Sequence, residues 1–375
     1  MEKLYLSALS EEEMFGGSLL GMFSSYPGIR CLQREGGLYI GEADGDKKNG
    51  FGIWIRPDGA LCLGRFREDD FTGRGKIFER KGGAFEGNFL AGVLQGEGVH
   101  TLPDGARIEA FFRDGLAEGR ARITYPSGAV YEGRLHKDLP EGEGKLTDPE
   151  KGVYEGSFRN GLPHGKGTLT AGDGAVYIGE FKNGAFSGRG TLTLADGSIY
   201  KGFFEEGKPH GRGSRHYADG SSYTGSWCGG MRQGKGLMTY TDKGKYRGLW
   251  NKDERSGYGV MYFPDRSIYA GNWVSDRMQG PGKMTTADGI SYEGIWDKGF
   301  MVGKPALQLE NGCKYEGDME DGLPEGRGRM EYPNGDVYEG GFVKGKREGR
   351  GILIRADGTR YMTRWADDSP VSSAL

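Results

Sequence analysis

One motif recurs along this chain at a spacing that never slips. Tyr-x-Gly-x-aromatic appears at Tyr177, Tyr200, Tyr223, Tyr246, Tyr269 and Tyr292, each 23 residues after the last. Extended in both directions, the same ruler marks fifteen starts from Tyr39 to Tyr361, without insertion or deletion. Twelve starts are tyrosine, and Cys62, Phe85 and Ile108 are the exceptions. Two positions on comes glycine, except at Ala110 and Thr363, and four on most repeats carry Phe or Trp. Eleven positions on, all fourteen complete repeats have glycine, and thirteen on all but Ala121 and Pro305 do. A chain bound to such a period folds as a stack of like modules, each too small to bury its own apolar face.

The local pattern identifies the module. Along Tyr200-Lys201-Gly202-Phe203-Phe204 the recurring residues occupy alternate positions, the period of a β-strand. Gly190-Thr191-Leu192-Thr193-Leu194 alternates in the same way. Each repeat closes on a turn signal such as Pro57-Asp58-Gly59, Asp196-Gly197, Asp219-Gly220 or Pro333-Asn334-Gly335. Each repeat is therefore a β-hairpin, and the predicted fold is all-β: a twisted single-layer antiparallel meander of stacked hairpins. At roughly 4.8 Å per strand, two strands advance the sheet by about 10 Å, so fifteen repeats imply a rod on the order of 140 Å long.

Because a lone hairpin is marginal in water, stacking has to supply the stability. The repeat predicts ladders, tyrosine on tyrosine and Phe or Trp on Phe or Trp, along one face. Glycine makes up 72 of the 375 residues. The Gly-x-Gly of the second strand is read as bare backbone that makes room for the rings of the first. Pro305, which lacks a ladder donor, is expected to mark a bulge or bend. The domain reading is a cap or degenerate repeat over residues 1–38, followed by the array over 39–375. Ser10 to Glu13 has the spacing of a helix capping box, with an apolar stretch to Phe23.

Composition then narrows the function classes. Fifty basic against fifty-three acidic residues give a net charge of −3, which argues against a nucleic-acid partner. Cys31, Cys62, Cys228 and Cys313 are far apart and form no CxxC pair, so they read as reduced thiols. With no long apolar run and no basic-then-apolar leader, the expected setting is cytoplasmic.

The pattern YxGxW/F…GxGxxxxxDG at a 23-residue period resembles the membrane occupation and recognition nexus (MORN) repeat, over Tyr39 to the end. YTGSW, YEGIW and YEGSF carry the likeness most clearly, with the GKG, GRG and GYG tripeptides downstream. The uninterrupted array is similar to the all-repeat scaffold proteins of protist cytoskeletons. That resemblance implies hairpin stacks, dimers joined near the C-terminus, and scaffolding beside the plasma membrane.

No catalytic constellation is found. The acidic residues Glu132, Glu155, Glu293, Glu316 and Glu339 recur by repeat geometry and are read as a solvated face. His164 and His210 share one repeat position and are read as exposed turn residues. The glycine motifs lack the phosphate-loop pattern, and no serine or cysteine has a histidine partner at an identifiable spacing. The expectation is a non-enzyme without metal or cofactor. Candidate contacts for a partner or lipid are Trp227, Trp250, Trp273 and Trp296, and the basic group Lys344, Lys346, Arg347 and Arg350. The leading reading is a self-associating scaffold, expected to be a homodimer through its C-terminal repeats; anionic phospholipid binding, or an adaptor holding a partner helix in an aromatic groove, are the alternatives.

Overall fold

The computed structural model describes residues 28–34, 36–309, 311–320 and 323–371, so the candidate cap at residues 10–23 lies outside the described residues. The described residues form 31 strands, from Ile29–Arg34 to Ser369–Val371, and no helix. The chain divides into two compact bodies, residues 1–187 and 188–375. In the first, each strand pairs antiparallel with the one before and the one after it in sequence. The second body is built the same way. The fold is the all-β hairpin meander that the period predicts.

Residues 199–221 show how one repeat is made. Strand Ile199–Glu205 reverses through Glu206 and Gly207, both left-handed (φ 49° and 79°), into strand Lys208–His216. Two left-handed central residues make a type I′ turn, whose twist suits adjoining strands. The wider turn that follows is closed by backbone bonds from Gly220 to the Tyr217 carbonyl and from Tyr217 to the Ser221 carbonyl. The Asp219 carboxylate accepts the Ser221 hydroxyl at 2.6 Å and the Ser221 N–H at 2.8 Å, which together fix the turn and hold that carboxyl below its usual range.

A row of glycines crosses the sheet of each body. In the second it runs Gly190, Gly202, Gly213, Gly225, Gly236, Gly248, Gly259, Gly271, Gly282 and Gly294, each directly opposite the next. The tyrosine rings lie on this row. Tyr223 covers Gly225 of its own strand and Gly236 of the next, and a Cβ on Gly236 would sit 2.5 Å from the tyrosine Cζ. The ring reaches over its own strand to donate its hydroxyl to the carbonyl three residues on: Tyr200 to Phe203, Tyr223 to Ser226 and Tyr246 to Leu249, each at 3.0 Å. A phenol can therefore be buried here without leaving its polar tip unpaired.

The other aromatic of the motif slots between tyrosines. Trp227 meets Tyr223 of its own repeat and Tyr200 of the preceding one, edge to face, at centroid distances of 5.1 and 5.2 Å. The alternation continues through Trp250, Tyr246, Trp273, Tyr269 and Trp296. Like does not stack on like, contrary to the expected ladders. Edge-to-face contact is the favoured arrangement of ring quadrupoles, and the register provides it by setting each Trp between two tyrosines.

The two glycines of Gly-x-Gly also differ, where the sequence treats them alike. Only the second lies beneath a ring. The first is left-handed in each repeat from Gly50 to Gly280 and again at Gly326 and Gly349, Gly234 at φ 74° for example, and no tyrosine ring covers it. It sits where the hairpin register shifts, between the pairs Gly225–Gly236 and Trp227–Arg232. This glycine makes a β-bulge, after which the strand rejoins the next repeat in regular register, Gly234 opposite Trp250.

Where the starting tyrosine is missing, the residue nine positions on takes over its space. Phe71 lies beside Gly64 and Gly75 in the Cys62 repeat, and Leu94 beside Gly87 and Gly98 in the Phe85 repeat. In the Ile108 repeat that residue is the buried Ala117, and the row itself carries methyl groups at Ala110 and Ala121. The Tyr292 repeat departs too, with Met301 rather than the tyrosine ring against Gly294. Pairing of strand Phe300–Gln308 with the next strand is recorded at Ala306, Leu307 and Gln308; the Pro305 side chain lies outside the described residues.

Candidate interaction site

The ring face has little left to offer a partner. Trp227, Trp250, Trp273 and Trp296 are 4%, 3%, 3% and 7% exposed, so they do not form an open platform, and the aromatic-groove reading is corrected on that ground. Trp227 and Trp273 donate their indole N–H to the Gly213 and Gly259 carbonyls.

Arginines cover part of this row. Arg232 stacks on Trp250 with its guanidinium carbon 4.1 Å from the ring centroid, and its Nε donates to Asp253 Oδ1 at 2.9 Å. The same carboxylate oxygen accepts the Arg232 backbone N–H. Arg255 with Trp273 and Asp276, and Arg347 with Trp365 and Asp368, repeat the clasp. Each aspartate is the second residue of the next tight turn, held left-handed. Where proline replaces the arginine, at Pro140, Pro163, Pro209 and Pro324, that turn residue is Gly161, Gly184, Gly230 or Gly345, whose N–H donates to the proline carbonyl. Proline has no N–H, so a carboxylate there would have nothing to accept.

The clasp decides the fate of the C-terminal basic group. Arg347 is committed to Trp365 and Asp368, and Lys346 bonds Asp367 at 2.6 Å. Lys344 and Arg350 are exposed, the latter directly opposite Arg364. The repeated acids lie on the other face, as expected, and most are paired: Glu132 with Arg122, Glu155 with Lys145, Glu293 with Lys283 and Glu339 with Arg329. Each base is the fifteenth residue of the preceding repeat, a coupling visible in the sequence only once the register is known.

His164 and His210 lie within strands, not in turns; the His164 Nδ1 is buried without a partner and His210 pairs with Glu205. No cluster of three metal-ligating side chains occurs among the described residues. Cys62 and Cys313 are buried, and burial pushes the Cys62 thiol up to about 11. The ring face does open into a cavity of about 710 Å³ in the stretch that lacks tyrosine starts, lined in part by Ile77, Phe85, Phe89, Val93 and Leu94.

The MORN-repeat family model matches thirteen segments, from residues 39–61 to residues 338–360. It passes over residues 62–84 and the repeat beginning at Tyr361, where the structure nonetheless has paired strands. Among solved structures, the TCP domain of Drosophila melanogaster SAS-4, in complex with a proline-rich motif of Ana2, is similar at 16% identity and TM-score 0.29, covering 46% of this chain and 88% of that one. The TCP10 domain of Danio rerio CPAP, in complex with a STIL peptide, is similar at 13% identity and TM-score 0.26, covering 71% and 98%. A search of curated proteins finds no match.

Proposed function

This chain belongs to the MORN-repeat family, and from that premise we propose that it is a non-catalytic scaffold. It self-associates through its C-terminal repeats and gathers proteins at the cytoskeleton or the cytoplasmic face of the plasma membrane.

The observation that carries this reading is the division of labour between the two sheet faces. One face is consumed by rings, bare backbone and arginine clasps. The other presents exposed side chains at the same positions in successive repeats, such as Lys201, Thr224 and Arg247. A surface of that kind suits partners bound side by side, whereas catalysis needs acid, base or nucleophile gathered in one cleft.

Self-association draws support from Tyr361. Its ring is 53% exposed, while Tyr338 at the same repeat position is fully buried, and the neighbouring Met362 is 81% exposed. Multi-angle light scattering of the full chain tests this: a dimer at micromolar concentration is expected, shifting towards monomer in Tyr361→Ser/Met362→Ser. A strict monomer would overturn self-association. A second reading, contact with anionic lipid, draws on the exposed Lys344 and Arg350 beside the exposed Val343. Flotation with anionic vesicles, weakened in Lys344→Glu/Arg350→Glu, is its test.

A further inference from the structure

On the open face, ion pairs form between a residue one position after the repeat start and one fourteen positions after the preceding start. Lys76–Glu86, Arg122–Glu132, Lys145–Glu155, Lys283–Glu293 and Arg329–Glu339 all follow this rule. Between residues 189 and 249 the rule breaks. The expected glutamates are replaced by Lys201, Thr224 and Arg247, and the expected bases by Thr191, Ser214 and Leu237. Thr191 and Ser214 lie directly opposite Lys201, and Thr224 is opposite Ser214. The adjoining row adds Arg189, Arg212 and Lys235, opposite Phe203, Ser226 and Leu249.

The outcome is a trough of about 490 Å³ lined by Lys201, Arg212, Lys235, Ser214, Thr224 and Ser226, over the backbone of Gly213 and Gly225. No carboxylate lines it. A trough of about 570 Å³ in the first body has Arg120, Arg122 and Arg134 balanced by Glu109, Glu132 and Glu143. The carboxylate of Glu205, four residues along the strand from Lys201, is taken by His210 at 3.2 Å. Among the described residues Lys201, Arg212, Lys235 and Arg247 form no ion pair.

We propose that this trough receives an extended acidic segment of a partner protein. The chemistry is charge complementarity: unpaired cations and free hydroxyls with no anion of the chain's own to satisfy them. The spacing suits a polypeptide. Arg189, Arg212 and Lys235 hold the same position in successive repeats, so they recur at about 10 Å, the span of roughly three extended residues. An acid at every third residue meets a cation each time, and the exposed Phe203 and Leu249 border the track for apolar residues between the acids. A planar bilayer would meet the protruding cations but not the hydroxyls of the floor. The inference rests on the scaffold reading, and names the chemistry of one partner and where it binds.

Fluorescence anisotropy of the full chain with a fluorescein-labelled Glu-Ser-Gly repeat peptide of about 15 residues tests it. The expected result is binding that weakens with salt and falls about tenfold or more in Arg212→Glu/Lys235→Glu. It should persist in Lys283→Glu, whose lysine is already paired, and be absent for a Lys-Ser-Gly peptide. Arg212 and Lys235 are exposed and Lys283 is half-buried, and unchanged circular dichroism confirms that the variants fold. No binding, or equal loss in Lys283→Glu, overturns the proposal. So does flotation with phosphatidylserine vesicles that depends on Arg212 and Lys235 while the peptide stays unbound. Light scattering on the same samples separates the two readings: a dimer that ignores the peptide sinks the trough alone, and a monomer that binds it sinks self-association alone.

Discussion

Ala110 and Ala121 face each other across one hairpin, at the two positions where the neighbouring hairpins pair glycine with glycine. Their repeat begins with Ile108, which has no ring to lay over them. Three changes that look like separate decay of the motif are thus one packing solution. Ile108→Tyr is expected to destabilise the chain by about 1–3 kcal/mol through overpacking, and Ile108→Tyr/Ala110→Gly/Ala121→Gly to recover most of that loss. Thermal denaturation of both variants decides it. Equal destabilisation by the single and the triple change would contradict the coupling.

Gly234 and Gly236 are predicted to fail for different reasons. A side chain at Gly236 meets the Tyr223 ring, whereas one at Gly234 makes only ordinary contact with the Ser226 side chain but stands on a left-handed backbone. Both Gly→Val variants should cost more than Lys235→Val, and Gly236→Val the most. Gly234→Asn should be milder than Gly234→Val because asparagine tolerates that conformation, while Gly236→Asn gains nothing. Chemical denaturation midpoints of the five variants give the order.

The clasp of Arg232 on Trp250 and Asp253 is expected to be replaceable by the proline solution used elsewhere. Arg232→Pro alone leaves Asp253 without its donors, and should cost about 1–2 kcal/mol. Arg232→Pro/Asp253→Gly reproduces the Pro209 and Gly230 pairing and should recover stability. A double-mutant cycle with no coupling would refute the equivalence.

Alkali should unfold the array cooperatively. Burial pushes the hydroxyls of Tyr131, Tyr154, Tyr177, Tyr200, Tyr223, Tyr269 and Tyr315 up to about 12. An unfolded tyrosine ionises near 10, so above that pH the unfolded chain releases protons the folded chain retains. The stability these phenols contribute is whole below about pH 10 and declines towards pH 12. Phenolate absorbance near 295 nm should rise together with loss of the circular dichroism signal. A separate, earlier rise for all tyrosines would mean that the rings are not buried.

Strand parity and turn residues were enough to read the hairpins and the face each residue takes. The ring order was not legible, because it depends on a two-residue register shift at a glycine that looks identical to its neighbour in Gly-x-Gly. With a regular ladder, rings of one kind would align; with the shift, each Trp falls between two tyrosines. The same shift hid the pairing of Arg232 with Asp253, 21 residues apart, and so made the C-terminal basic cluster look freer than it is. One signal was available: Phe71, Leu94 and Ala117 depart from the usual Pro or Arg of their position in the repeats that lack the tyrosine.

Within each body, the described strands bond only to their immediate sequence neighbours, and this leaves copy number unconstrained by long-range pairing. Excising residues 246–268 would join Lys245 to Tyr269, bring Trp273 against Tyr223 in place of Trp250, and set Arg232 opposite Asp276 in place of Asp253. Duplication or loss of a segment whose flanking clasp partners match needs no compensating change, so the number of repeats, and with it the count of stabilising interfaces, can change by recombination alone.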